Sequence, residues 1–154
     1  MVAATERDAW SMACEQIGCE LLFVDSPVAL DAKKPDAFVI SVLPRLEERA
    51  TPLDAIAEQL RSDIGALIER EVTVFICSVF RACDDPGLLE RIRRLDLLLA
   101  EISHETGAIV IDFDRVFAHE GARTLETDYR LHGARAAQLA GEAIVATLRE
   151  TLDV

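Results

Sequence analysis

The chain has 154 residues, 51% hydrophobic and only 5% aromatic, and its 28 acidic against 16 basic side chains give a formal charge of -12. That length holds one domain, residues 1–154, with a substantial aliphatic core, while the acidity sets the surface against nucleic acid and anionic membrane. Met1 to Glu6 lack the basic and apolar blocks of a signal peptide, and no apolar run reaches bilayer length, so a cytoplasmic protein is expected. Cys14, Cys19, Cys77 and Cys83 have neither CxxC spacing nor nearby histidines, and read as reduced thiols, not as a zinc site.

Thr5 and Asp8 are placed to cap a first helix that buries Trp10, Ala13, Cys14 and Ile17 and stops at Gly18. Cys19 to Val24 reads as a buried strand ended by Asp25-Ser26-Pro27, and Ala37 to Val42 as a second. Both are nearly all apolar, as expected when helices cover both faces of a parallel sheet. Leu43 to Ala50 reads as an irregular segment, with Arg45 paired to Glu47 or Glu48.

Thr51 as N-cap, Pro52 at the first helical position and Asp54 in the first turn open the next helix. Its inward stripe is Leu53, Ile56, Leu60, Ile64, Leu67 and Ile68, and Val72 to Val79 follows as a strand. Asp85-Pro86 repeats the opening device for a helix from Pro86 to about Thr106, stopped by Gly107. Leu88, Leu89, Ile92, Leu95, Leu99 and Ile102 form its buried face, and Arg91, Arg93 and Arg94 its solvated one. Ala108 to Ile111 makes a short strand closed by Asp112 and Asp114, after which a loop carries Asp128 and His132. The closing helix, about Ala134 to Leu152, places Leu139, Ala140, Ala143, Thr147 and Leu148 near one face.

This alternation predicts a three-layer α/β/α sandwich with a mostly parallel sheet, in which polar groups gather at the carboxyl edge. The short link between the first two strands leaves one of them antiparallel or nonadjacent. No glycine-rich phosphate loop follows a strand, so no nucleotide, flavin or other cofactor is expected. Asp128 and His132 are the chief chemical signal, because a carboxylate beside an imidazole fixes its tautomer and stabilises the imidazolium formed on proton uptake. Cys77 and Cys83 are secondary candidate nucleophiles, with Cys77 read first as core and Cys83 as near solvent. His104 reads as a helix-surface residue, and His119 with Asp112 and Asp114 as a weak divalent-metal arrangement.

The strand "AIVIDFDRVF", the loop "TDYRLHGARAAQLAGEAI" and the earlier "KPDAFVI" resemble the SGNH, or GDSL-type, hydrolase superfamily over about Cys19 to Leu148. The resemblance implies a flavodoxin-like sandwich and a Ser-Asp-His site hydrolysing a small acyl ester or thioester, with His132 as base, Asp128 as its orienting carboxylate and Ser26, in "FVDSP", as nucleophile. Three departures go with it. Asp128 precedes His132 by four residues where the family has three, no glycine precedes Asp25, and the region matching the family's Gly-x-Asn-Asp sequence is "ISVLPRLEE" in a chain without asparagine. An alternative alignment takes Cys19 to Val24 as the family's second strand and leaves the nucleophile strand absent. Two functional readings therefore stand: a divergent hydrolase, or a catalytically inactive relative that acts through a protein partner or as a homo-oligomer. Ligand binding at the carboxyl edge without bond cleavage is a third.

Overall fold

A computed structural model describes residues 4–18 and 35–152. The strand expected at Cys19 to Val24, the turn carrying Ser26 and its link toward Ala37 lie outside the described residues. The elements follow as α1 (Ala4–Ile17), β1 (Ala37–Ser41), α2 (Leu43–Glu47), α3 (Leu53–Ile68), β2 (Thr73–Cys77), α4 (Pro86–Thr106), β3 (Ile109–Ile111), α5 (Phe113–Ala118), α6 (Ala122–Leu125) and α7 (Ala134–Leu152).

The described strands form a parallel sheet in the order β1-β2-β3, with Ser41 beside Cys77 and Cys77 beside Ile111 at its carboxyl end. Side chains alternate across it, and each set enters its own core. Phe38, Ile40, Val74, Ile76 and Val110 pack with α3 and α4, whereas Ala37, Val39, Phe75, Cys77, Ile109 and Ile111 pack with α1, α5 and α7. Strands covered on both faces must be apolar throughout, which is why these sequences show no polar alternation. Each fully buried side chain of the size of Phe75 or Ile76 contributes about 1.5–3 kcal/mol by leaving water.

On one face, α3 buries Leu53, Ile56, Leu60, Ile64 and Leu67, but Ile68, expected inside, lies at the helix end and is exposed. Thr51 is not the N-cap of this helix. Pro52 holds that place without a side-chain cap, and the Thr51 carbonyl accepts from Arg91 Nη2 at 2.6 Å instead. In α4 the expected devices are present: Asp85 Oδ1 accepts from Gly87 N and Leu88 N, and Gly107 closes the helix at φ 79°, a left-handed conformation that glycine adopts without steric cost.

On the other face, α1 and α7 pack closely because their contact is built of small residues. Ala9 and Ala13 face a stripe of Ala136, Ala140 and Gly141, and a Cβ on Gly141 would meet the Ala9 carbonyl oxygen at 3.3 Å. The buried face of α7 centres on Ala140, Ile144, Val145 and Leu148, with the predicted Leu139, Ala143 and Thr147 on its half-buried flanks. Phe80, Phe113 and Phe117 stack at tilted angles, with ring centroids 5.1 and 6.1 Å apart, and seal this core under the carboxyl edge.

Candidate functional site at the carboxyl edge

Three described segments meet where the strands end. Leu43 to Glu47, expected to be irregular, is the short helix α2; it buries Leu43 and Leu46 and presents Glu47 toward the loop before α7. Arg45 turns the other way. Its Nη2 donates to Asp63 of α3 at 2.6 Å, so it does not pair with Glu47 or Glu48.

Residues 78–83 after β2 form the centre of this edge. Ser78 N extends the ladder to Ile111 O, and its buried Oγ accepts from Phe113 N at 2.9 Å. Phe113 is the first residue of α5, where an amide has no partner within the helix, so a strand-end serine satisfies it from outside. Val79 N donates to Asp96 Oδ1 at 3.1 Å, and Arg81 N to Asp114 Oδ1 at 3.1 Å, while Arg81 Nε reaches Asp114 Oδ2 at 2.8 Å. Ala82 O accepts from Tyr129 N at 2.9 Å. Asp112, with its Oδ1 on Arg115 N, caps α5, so Asp112 and Asp114 act as fasteners here.

Asp96 is the most perturbed acid described. Burial pushes its carboxyl up to about 7; the Val79 amide opposes this, the Asp114 charge adds to it, Arg81 opposes it and Asp112 adds to it. Its Oδ2 is enclosed without a hydrogen-bond partner, and so is the hydroxyl of Ser41 at the end of β1.

The loop before α7 brings Asp128 and His132 together. His132 Nε2 lies 4.0 Å from Asp128 Oδ1, both groups partly exposed at 57% and 38%. This is an electrostatic approach, longer than a hydrogen bond. Asp128 Oδ1 meanwhile accepts from Arg130 N at 2.9 Å in a local turn, and Oδ2 lies 3.4 Å from Arg130 Nη1. Arg130 Nε donates to Glu47 Oε1 at 2.9 Å, its guanidinium lies over the Tyr129 ring, and the Tyr129 hydroxyl donates to the same Glu47 oxygen at 3.2 Å. Leu131 between them has φ 59°, an unusual conformation for a branched residue, and it buries its side chain while His132 turns outward.

Ser26, the nucleophile expected from the sequence, lies outside the described residues. Cys77 is fully buried in the core, and Cys83, expected near solvent, is half-buried against the α3 and α4 core. His104 and His119 are both exposed, and among the described residues no three His, Cys, Asp or Glu side chains converge as a metal-binding group. Arg93 and Arg94 are solvated, but Arg91 is spent on the carbonyls of Leu46, Glu48 and Thr51.

Sequence reasoning passed over Asp96, although an acid four residues after Ile92 and three before Leu99 falls on the flank of an apolar helical stripe. Tyr129, Arg130 and Ser78 carried no comparable pattern, because their partners are remote in sequence. No protein-family model, curated protein or solved structure matches the chain.

Proposed function

We propose that the chain is a divergent SGNH-type hydrolase of small acyl esters or thioesters, with a flavodoxin-like sheet and a carboxyl-edge site. The observation that carries this reading is the 4.0 Å approach of His132 to Asp128 on a strained loop at that edge. Ser26 attacks the carbonyl, its proton passes to His132, and Asp128 supports the resulting imidazolium. With Nε2 toward Asp128, Nδ1 is the nitrogen left to take the proton; a half-turn of the ring exchanges the two. The imidazolium then protonates the leaving alkoxide or thiolate, and water, deprotonated by His132, releases the acid. Because the chain has no asparagine, backbone amides supply the oxyanion donors in this reading.

The test is hydrolysis of a panel of short and long chromogenic acyl esters and thioesters, with fluorophosphonate labelling of the full chain. Labelling at Ser26, and a loss of at least about a thousandfold in turnover for both Ser26→Ala and His132→Ala, supports the mechanism. Turnover that survives both substitutions unchanged sinks it.

A second reading is a catalytically inactive interaction or regulatory protein. It is favoured by the way Arg130 spans Asp128 and Glu47, so that the proposed orienting carboxylate already serves as a fastener. A stoichiometric partner or homo-oligomer with no labelling at Ser26 selects this reading. In either case the reading places the chain in the cytoplasm. No described helix is long and apolar enough to cross a membrane.

A further inference from the structure

The segment 78–83 is held by carboxylates from two other elements, Asp96 of α4 on the Val79 amide and Asp114 of α5 on the Arg81 amide and guanidinium. Its Ala82 carbonyl is in turn the anchor for Tyr129, next to Asp128. We propose that Asp96 is a proton-operated latch: neutral, it keeps this segment as described, and ionised, it draws Arg81 from Asp114 and loosens the Ala82–Tyr129 tether, so that the Asp128–His132 loop moves with pH.

The enclosure favours the neutral acid over the anion. As a neutral acid, Asp96 accepts from Val79 and leaves only a hydroxyl at Oδ2 without a partner. As an anion it holds a charge in a partly desolvated place with a single amide donor, which is far more costly. The charged groups acting on it are Asp114 and Asp112 at the start of α5, which oppose ionisation, and Arg81 on the segment itself, which favours it. Arg81 is already paired with Asp114. An ionised Asp96 therefore competes with Asp114 for that guanidinium, and the segment between them must shift for Arg81 to change partners. The released proton goes to solvent. The balance of these effects sets the change at about 7, and none of it requires Ser26 to be a nucleophile.

The test is a nuclear magnetic resonance titration of the labelled full chain from mildly acidic to mildly alkaline solution, following the Asp96 side-chain carboxyl carbon and the amides of Val79, Arg81 and Tyr129. A His132→Gln background keeps imidazole titration from reaching Tyr129. The latch requires Asp96 to titrate near neutrality with all three amides sharing its midpoint, and Asp96→Asn to abolish the movement at Tyr129. Asp114→Asn, which frees Arg81 and removes a repelling charge, should lower the Asp96 midpoint by about one pH unit, a tenfold change in proton affinity. An Asp96 signal flat across neutrality, Tyr129 movement that persists in Asp96→Asn, or a midpoint unmoved or raised in Asp114→Asn overturns the proposal. If Asp96→Asn does not fold, the titration in the His132→Gln background and the Asp114→Asn shift decide.

Discussion

Two polar clusters share the carboxyl edge and differ in their access to water. Around residues 78–83, Ser78 is buried, Asp96 is largely so, and their partners are main-chain amides. Around residues 128–132, Asp128, Arg130 and His132 are half open to solvent, and Arg130 is shared between two carboxylates. A contact costs little to lose where water can replace it and a great deal where water cannot. The inner cluster should therefore govern stability and its pH dependence, while the outer one remains free to rearrange around a substrate or partner.

The largest expected difference lies at Asp96. Its carboxyl is raised from 3.8 in the unfolded chain to about 7, so across that window the folded protein holds a proton that the unfolded chain has released. Its contribution to stability is thus present at low pH and lost as pH rises from about 4 to about 7, by on the order of 2–4 kcal/mol. Urea unfolding as a function of pH should show this downward slope in the wild type and its loss in Asp96→Asn; equal slopes would erase the contrast between the clusters.

A smaller effect is expected at Ser78→Ala, which leaves the Phe113 amide buried without an acceptor. A cost of about 1–3 kcal/mol should appear in the same unfolding experiment. A neutral result would mean that water reaches the amide and that the inner cluster is not closed.

Smallest of all, Arg130→Gln should change stability by less than about 1 kcal/mol, because both of its ion pairs are solvent-screened. A larger loss would make the outer cluster a structural clamp and favour the interaction reading over the hydrolase.

Much of the scaffold was legible because its signals are local. Pro86 to Thr106 follows from an Asp-Pro opening, an apolar stripe and a closing glycine, and Ala134 to Leu152 from its periodicity. The failures have causes remote in the chain. Thr51 has the chemistry of a cap, yet its carbonyl belongs to Arg91, forty residues on, and the helix starts after Pro52. Leu43 to Glu47 contains a proline and two charges and reads as irregular, yet burial of Leu43 and Leu46 makes it helical.

The sequence by itself determined which stretches are apolar enough to be covered on both faces, where α4 and α7 begin and end, and that Asp128 and His132 belong to one loop. These properties depend on neighbours within a few residues, through backbone geometry and side-chain periodicity. Only the tertiary structure decided that Asp96 is enclosed, that Ser78 serves the first amide of α5, and that Arg130 divides itself between Asp128 and Glu47. Desolvation and long-range hydrogen bonds arise only when segments far apart in the chain exclude water together, and a linear pattern holds no record of that.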